Sequence, residues 1–145
     1  MMRDGLDDAT IRAILTRVKT IAMVGASPKP ERPSHGVMRF LLDRGYIVRP
    51  VNQTVAGKTI LDQFVYASLA DVPPPIDLID IFRAPEAALA VVREAIAEKD
   101  RLGISVIWMQ LGVINEEAAA LVREAGLTVV MDRCPKIEFA RLMRG

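Results

Sequence analysis

The chain is poor in the residues that several classes of function depend on. Its 145 residues include one cysteine, one histidine, one tryptophan, two tyrosines and four phenylalanines. A single cysteine excludes an internal disulfide framework and fits a reducing cytoplasm. One histidine and one cysteine are too few for a metal cluster or a Ser-His-Asp set. No apolar run approaches the roughly 18 residues of a membrane span. The first eight residues, Met1 to Asp8, lack the apolar core of a signal peptide. Repeats, low-complexity tracts and interdomain linkers are also missing. With a formal net charge of +1 there is no global field to favour nucleic acid or an anionic membrane, so local charge must recruit any anion.

What is there reads as one globular domain over residues 1–145, with 51% hydrophobic and 26% charged residues. Helix and strand signals alternate along it. Ile11, Ile14, Leu15 and Val18 recur at helical spacing, ahead of a compact apolar strand from Ile21 to Val24. Ser34 is placed to cap a second helix with a stripe of Val37, Met38, Leu41 and Leu42, which Gly45 stops. Tyr46 to Val51 reads as the second strand. The connection from Asn52 to Pro75 is long, with a short strand or turn expected around Phe64 to Ala67. Ile76 to Phe82 is a third strand, followed by an alanine-rich helix from Glu86 to about Arg101. Ser105 to Met109 and Leu127 to Met131 are the fourth and fifth strands. Asn115 and the two glutamates after it open the helix between them, and Pro135 opens a terminal helix. Near-continuous apolar strands separated by helices predict a Rossmann-like, doubly wound α/β fold: about five parallel strands with helices on both faces.

In such sheets ligands lie beyond the carboxyl ends of the strands, at the switch in strand order. Five loops then converge. The first carries Gly25, Ala26, Ser27, Lys29 and Arg32 ahead of Ser34, where a helix N-terminus suits a phosphate group. The others carry Asn52 and Gln53, then Phe82 and Arg83, then Gln110 to Gly112, then Asp132 to Cys134. Arg32, Arg83 and Arg133 are expected to face one sheet edge, and guanidinium forks bind phosphate oxygens well. A dinucleotide of the NAD type is disfavoured. Gly25 is followed by Ala26-Ser27-Pro28-Lys29-Pro30 instead of the G-x-G-x-x-G fingerprint, and the second strand ends in Asn52 instead of the acid that anchors a ribose. This leaves NADP or another adenosine phosphorylated at the 2′ or 3′ position.

Five segments then carry a resemblance: Gly25-Ala-Ser-Pro-Lys-Pro-Glu-Arg-Pro-Ser34, Gly45-Tyr-Ile-Val-Arg-Pro-Val-Asn52, Asp77-Leu-Ile-Asp-Ile-Phe-Arg83, Trp108-Met-Gln-Leu-Gly-Val113 and Val130-Met-Asp-Arg-Cys134. In this order they resemble the motifs of the small stand-alone coenzyme A-binding proteins, themselves similar to the CoA-binding domain of the succinyl-CoA synthetase alpha subunit. The likeness spans roughly Thr20 to Leu142. It implies that Gly25, Ala26 and Ser27 form the phosphate-contacting turn, with Arg32 and Ser34 in an R-P-S element. Val51 and Asn52 then lie near the nucleotide, Phe82 and Arg83 form the F-R pair, and Gln110 to Gly112 form the Q-L-G turn. Cys134 belongs to the D-R-C turn. Two departures stand out: Gln53 replaces the proline of a V-N-P sequence, and His35 replaces a frequent aromatic.

The resemblance implies non-catalytic binding of CoA or acyl-CoA, as carrier, sensor or regulatory module, in the cytoplasm and with room for a homodimer. Two other readings stay open. One is an NADP-linked or acyl-CoA-processing enzyme subunit. The other is a redox protein holding CoA as a mixed disulfide on Cys134, against which stands the commoner role of a lone cysteine as a small buried apolar residue. Asp80, mid-strand in a central position, is expected to be satisfied by loop amides or an arginine. Trp108 is expected in the core, and His35 beside the phosphate loop.

Overall fold

The computed structural model describes residues 3–143. Helix α1 (Asp8–Arg17) leads into β1 (Thr20–Val24), α2 (Pro33–Asp43) and β2 (Ile47–Val51). A hairpin of β3 (Thr59–Ile60) and β4 (Gln63–Phe64) lies within the long connection to β5 (Leu78–Ile81). Then come α3 (Ala88–Ala97), α4 (Lys99–Leu102), β6 (Val106–Met109), α5 (Glu116–Glu124), β7 (Thr128–Val130) and α6 (Pro135–Leu142). The main sheet has the order β2-β1-β5-β6-β7, all parallel, as the alternating pattern predicts. Order reverses between β1 and β5: the chain leaves β1 toward β2 on one side and continues from β5 toward β6 on the other.

Alternate strand residues feed two cores. Ala22, Val24, Ile79, Ile81, Ile107 and Met109 pack beneath α3 and α5. Ile21, Met23, Leu78, Val106, Trp108 and Val130 pack beneath α1, α2 and α6. Because both faces are covered, most strand positions are apolar, which is why the strands read as near-continuous runs. Trp108 is fully buried, and its ring N–H donates to the Arg133 carbonyl at 2.8 Å.

Three sequence expectations are corrected. Ser34 does not cap α2: Arg32 is the N-cap, Pro33 opens the helix, and Ser34 is the second helical residue. Proline's fixed φ suits that first position better than a serine cap would require. The helix expected from Glu86 to about Arg101 is a 3-10 turn at Pro85–Ala87, then α3, then α4, with the break at Glu98. There the Arg101 guanidinium binds the Glu98 carboxylate and the carbonyls of Leu69, Ala70 and Val72, so tertiary anchoring shapes this end. Asp80 has no amide or arginine beside it. It lies between Met23 and Trp108 in register, is fully buried, and neither carboxylate oxygen has a hydrogen-bond partner. Burial pushes its carboxyl well above the ordinary value of 3.8.

Candidate functional site

Two adjoining cavities lie over the switch between β1 and β5. The first, of about 380 Å³, lies against the start of α2 and is lined by Ser27, Lys29, Arg32, Ser34 and Val55 among others. The second, of about 460 Å³, extends beyond the end of β2 to Ser68, Arg83 and Glu94. Gly25, Asn52, Thr54 and Phe82 line both.

The wall they share is built by backbone ladders continuing past the strands. Gly25 N–H donates to the Val51 carbonyl at 2.9 Å, and Phe82 N–H to the Val24 carbonyl at 2.8 Å. Gly25 has φ +90°, and a Cβ there would stand 2.8 Å from the Phe82 carbonyl carbon and overlap its oxygen. Only glycine lets the first turn pass this close to β5. Asn52 joins the two loops. Its side-chain Nδ2 donates to the Ala26 carbonyl at 2.8 Å, and its Oδ1 accepts the Thr54 N–H at 3.0 Å. With both ends of its amide engaged inside the protein, Asn52 acts as a brace between β1 and β2.

The turn after β1 is also held by its own side chains. Ser34 Oγ accepts the Ser27 N–H at 3.0 Å, and Ser27 Oγ accepts the Lys29 N–H at 3.1 Å. These backbone amides are therefore engaged within the turn. What remains for an anion is the positive end of α2, where Pro33 has no N–H and the His35 N–H is already bonded to the Arg32 carbonyl at 3.1 Å, together with the Lys29 and Arg32 side chains. Both residues are exposed, and the first cavity has no acidic residue in its lining. The second cavity has one cation, Arg83, and one acid, Glu94.

The fifth loop departs from expectation. Arg133 does not join Arg32 and Arg83: its side chain is 2% exposed and fully engaged. Its guanidinium donates to both Asp4 oxygens, at 2.8 and 3.0 Å, to Glu138 at 2.7 Å, and to the Leu6 carbonyl. Burial alone would push the Asp4 carboxyl up, but hydrogen bonds from Arg133 and from the Leu6 and Met131 amides outweigh it and hold it below 3.8. Cys134 is buried at the N-cap of α6 and packs into the core beneath α1, α2 and α6. Gly112 spends its N–H on Asp132 at 2.8 Å. Gln110 is buried, with Oε1 lacking a hydrogen-bond partner. None of Gln110, Gly112, Arg133 and Cys134 lines either cavity, and Ala26 is buried behind the first one. His35, also buried, follows Ser34 in the first turn of α2.

Of the expected residues, the fold therefore gathers Gly25, Ser27, Arg32, Ser34, Val51, Asn52, Phe82 and Arg83 around one crevice. Residues 19–140 match a family model described as the CoA binding domain. The chain belongs to this family of CoA-binding domains. The uncharacterized protein YneT of Bacillus subtilis (strain 168) is 41% identical over 132 residues, 91% of this chain and 93% of that one. A hypothetical protein from Pyrococcus horikoshii OT3 has the same fold at TM-score 0.91 and 42% identity, over 99% of this chain and 97% of that one. A Thermus thermophilus protein follows at TM-score 0.87 and 39% identity, over 94% and 99% of the two chains.

This CoA-binding domain also has cavity residues that sequence reading missed. Thr54 and Ser68 lie in the connection between β2 and β5, where no periodic signal orients a side chain. Glu94 looks from its sequence context like an ordinary charge on a solvated helix face. Only the packing of α3 beside Leu69 reveals its position. Among the described residues no three His, Cys, Asp or Glu side chains gather as a metal site, and no helix is long and apolar enough to cross a membrane.

Proposed function

We propose that the chain binds coenzyme A or an acyl-CoA in the paired cavities without catalysing a reaction on it, as a cytoplasmic carrier, sensor or regulatory module. The observation that carries this reading is the division of charge across the switch point. The cavity at the start of α2 offers Lys29, Arg32 and a helix N-terminus with no acid in its lining, which suits a diphosphate. The adjoining cavity pairs one cation, Arg83, with polar walls, which suits a phosphorylated nucleoside. Ser34 has an additional part here: its oxygen holds the Ser27 amide, so its proton is free to turn toward a phosphate. Burial of Cys134 away from both cavities weighs against the mixed-disulfide reading.

Calorimetric titration of the purified protein with CoA, NADP and NAD tests this directly. CoA is expected to bind in preference to both dinucleotides. Arg32→Ala and Arg83→Ala are each expected to weaken CoA by about tenfold or more, the size of one lost charge-assisted contact. Folded protein that ignores millimolar CoA would overturn the proposal, and tighter binding of NADP would return the chain to the oxidoreductases.

A further inference from the structure

One wall of the second cavity has a polarity of its own. Glu94 accepts the Leu69 backbone N–H through Oε1 at 2.6 Å, and its Oε2 has no hydrogen-bond partner among the described residues. The neighbouring residue, Ser68, donates its hydroxyl proton to Asp71 Oδ2 at 3.0 Å. With that proton committed, Ser68 Oγ can offer the cavity only lone pairs. The Leu69 bond brings the Glu94 carboxylate to within one residue of Ser68, and both residues line the same cavity. Here the nearby donors are spent: the Leu69 N–H on Glu94, the Ser68 O–H on Asp71. This wall therefore presents a pair of acceptors, one of them negatively charged, in a cavity whose cation is Arg83. Such a wall repels phosphate, which belongs instead beside Lys29, Arg32 and Arg83, and it repels the carbonyl edge of a base. It complements an amino group.

Resting on the reading of the crevice as a CoA site, we infer that this wall reads the exocyclic amino group of the adenine base, with Glu94 Oε2 and Ser68 Oγ as its acceptors. Adenine presents two N–H donors at its 6-position, whereas hypoxanthine presents a carbonyl oxygen at the same place. A site built from acceptors accommodates the first and leaves its charge opposed by the second. Glu94 is thus a specificity-determining residue, and Ser68 its partner.

The experiment is a calorimetric comparison of CoA with its deaminated analogue, which carries hypoxanthine in place of adenine, on the full chain. Wild-type protein is expected to favour CoA by about tenfold or more. Glu94→Gln keeps a carbonyl oxygen for the Leu69 N–H and turns an NH2 group toward the cavity. The preference is expected to shrink or reverse in this variant. Ser68→Ala removes one acceptor while leaving Glu94 and its Leu69 bond in place, and is expected to reduce the preference by a smaller factor. Circular dichroism of each variant checks the fold. Equal affinity of the wild-type protein for both ligands would overturn this inference while leaving the CoA reading intact. So would a preference unchanged in both variants. Failure of folded wild-type protein to bind either ligand would overturn the CoA reading and this inference with it.

Discussion

Gly25 lies at the end of β1 with φ +90° and the Phe82 carbonyl directly across the gap to β5. Gly25→Ala combines a left-handed backbone position with an overlap against main-chain atoms that cannot swing aside. Together these are expected to cost about 2–4 kcal/mol, read as a lowered urea midpoint. A variant within about 0.5 kcal/mol of wild type would show that β1 and β5 can separate there. The same position explains part of what was legible in the sequence. A glycine ending an apolar strand marks a close approach whatever the partner, so Gly25 could be placed before the partner was known. Arg133 shows the opposite case. An arginine just beyond a parallel strand looks like a ligand contact, but its direction is set by Asp4, 129 residues away in the chain. No local pattern carries that information.

Elements differ in how openly they declare themselves. Helix α5 is plain in sequence because its cap is local: Asn115 accepts the Ala118 N–H at 2.9 Å, with Glu116 and Glu117 in the first turn. The break between α3 and α4 is hidden because Arg101 is anchored to carbonyls of Leu69, Ala70 and Val72, far back in the chain. At the other edge of the sheet, Arg133 joins the N-terminal segment, the end of β7 and α6 through Asp4 and Glu138. Asp4 reinforces the join by accepting the Met131 N–H at 3.1 Å. Arg133→Ala leaves the buried Asp4 carboxylate without its cation and Glu138 with Arg141 alone, and the expected loss is about 3–5 kcal/mol. Because Arg133 lines neither cavity, CoA affinity of the folded fraction is expected to stay within about twofold of wild type. Chemical denaturation and calorimetry on the same sample separate the two effects. Weak binding with unchanged stability would move Arg133 into the ligand site.

At the scale of the whole molecule, Asp4 and Asp80 titrate in opposite senses, and together they shape the response of stability to pH. The Asp4 carboxyl is held below 3.8, so its contribution is present above that value and is lost as pH falls through the lower, folded-state value. The Asp80 carboxyl is pushed well above 3.8 by burial. Between 3.8 and that raised value the folded state binds a proton that the unfolded state has released, so stability falls as pH rises through this window. The slope from this one group approaches about 1.4 kcal/mol per pH unit before levelling off above the folded-state value. Asp80→Asn keeps the shape of the side chain and removes the titration. Its urea midpoint is expected to gain on wild type steadily as pH climbs from about 4 toward neutrality, while the acid-side loss from Asp4 remains in both proteins. A constant difference between the two proteins across this range would mean that Asp80 is ionised in the folded state. Its two oxygens would then need partners, in a core where Met23 and Trp108 flank it in register and neither oxygen has one.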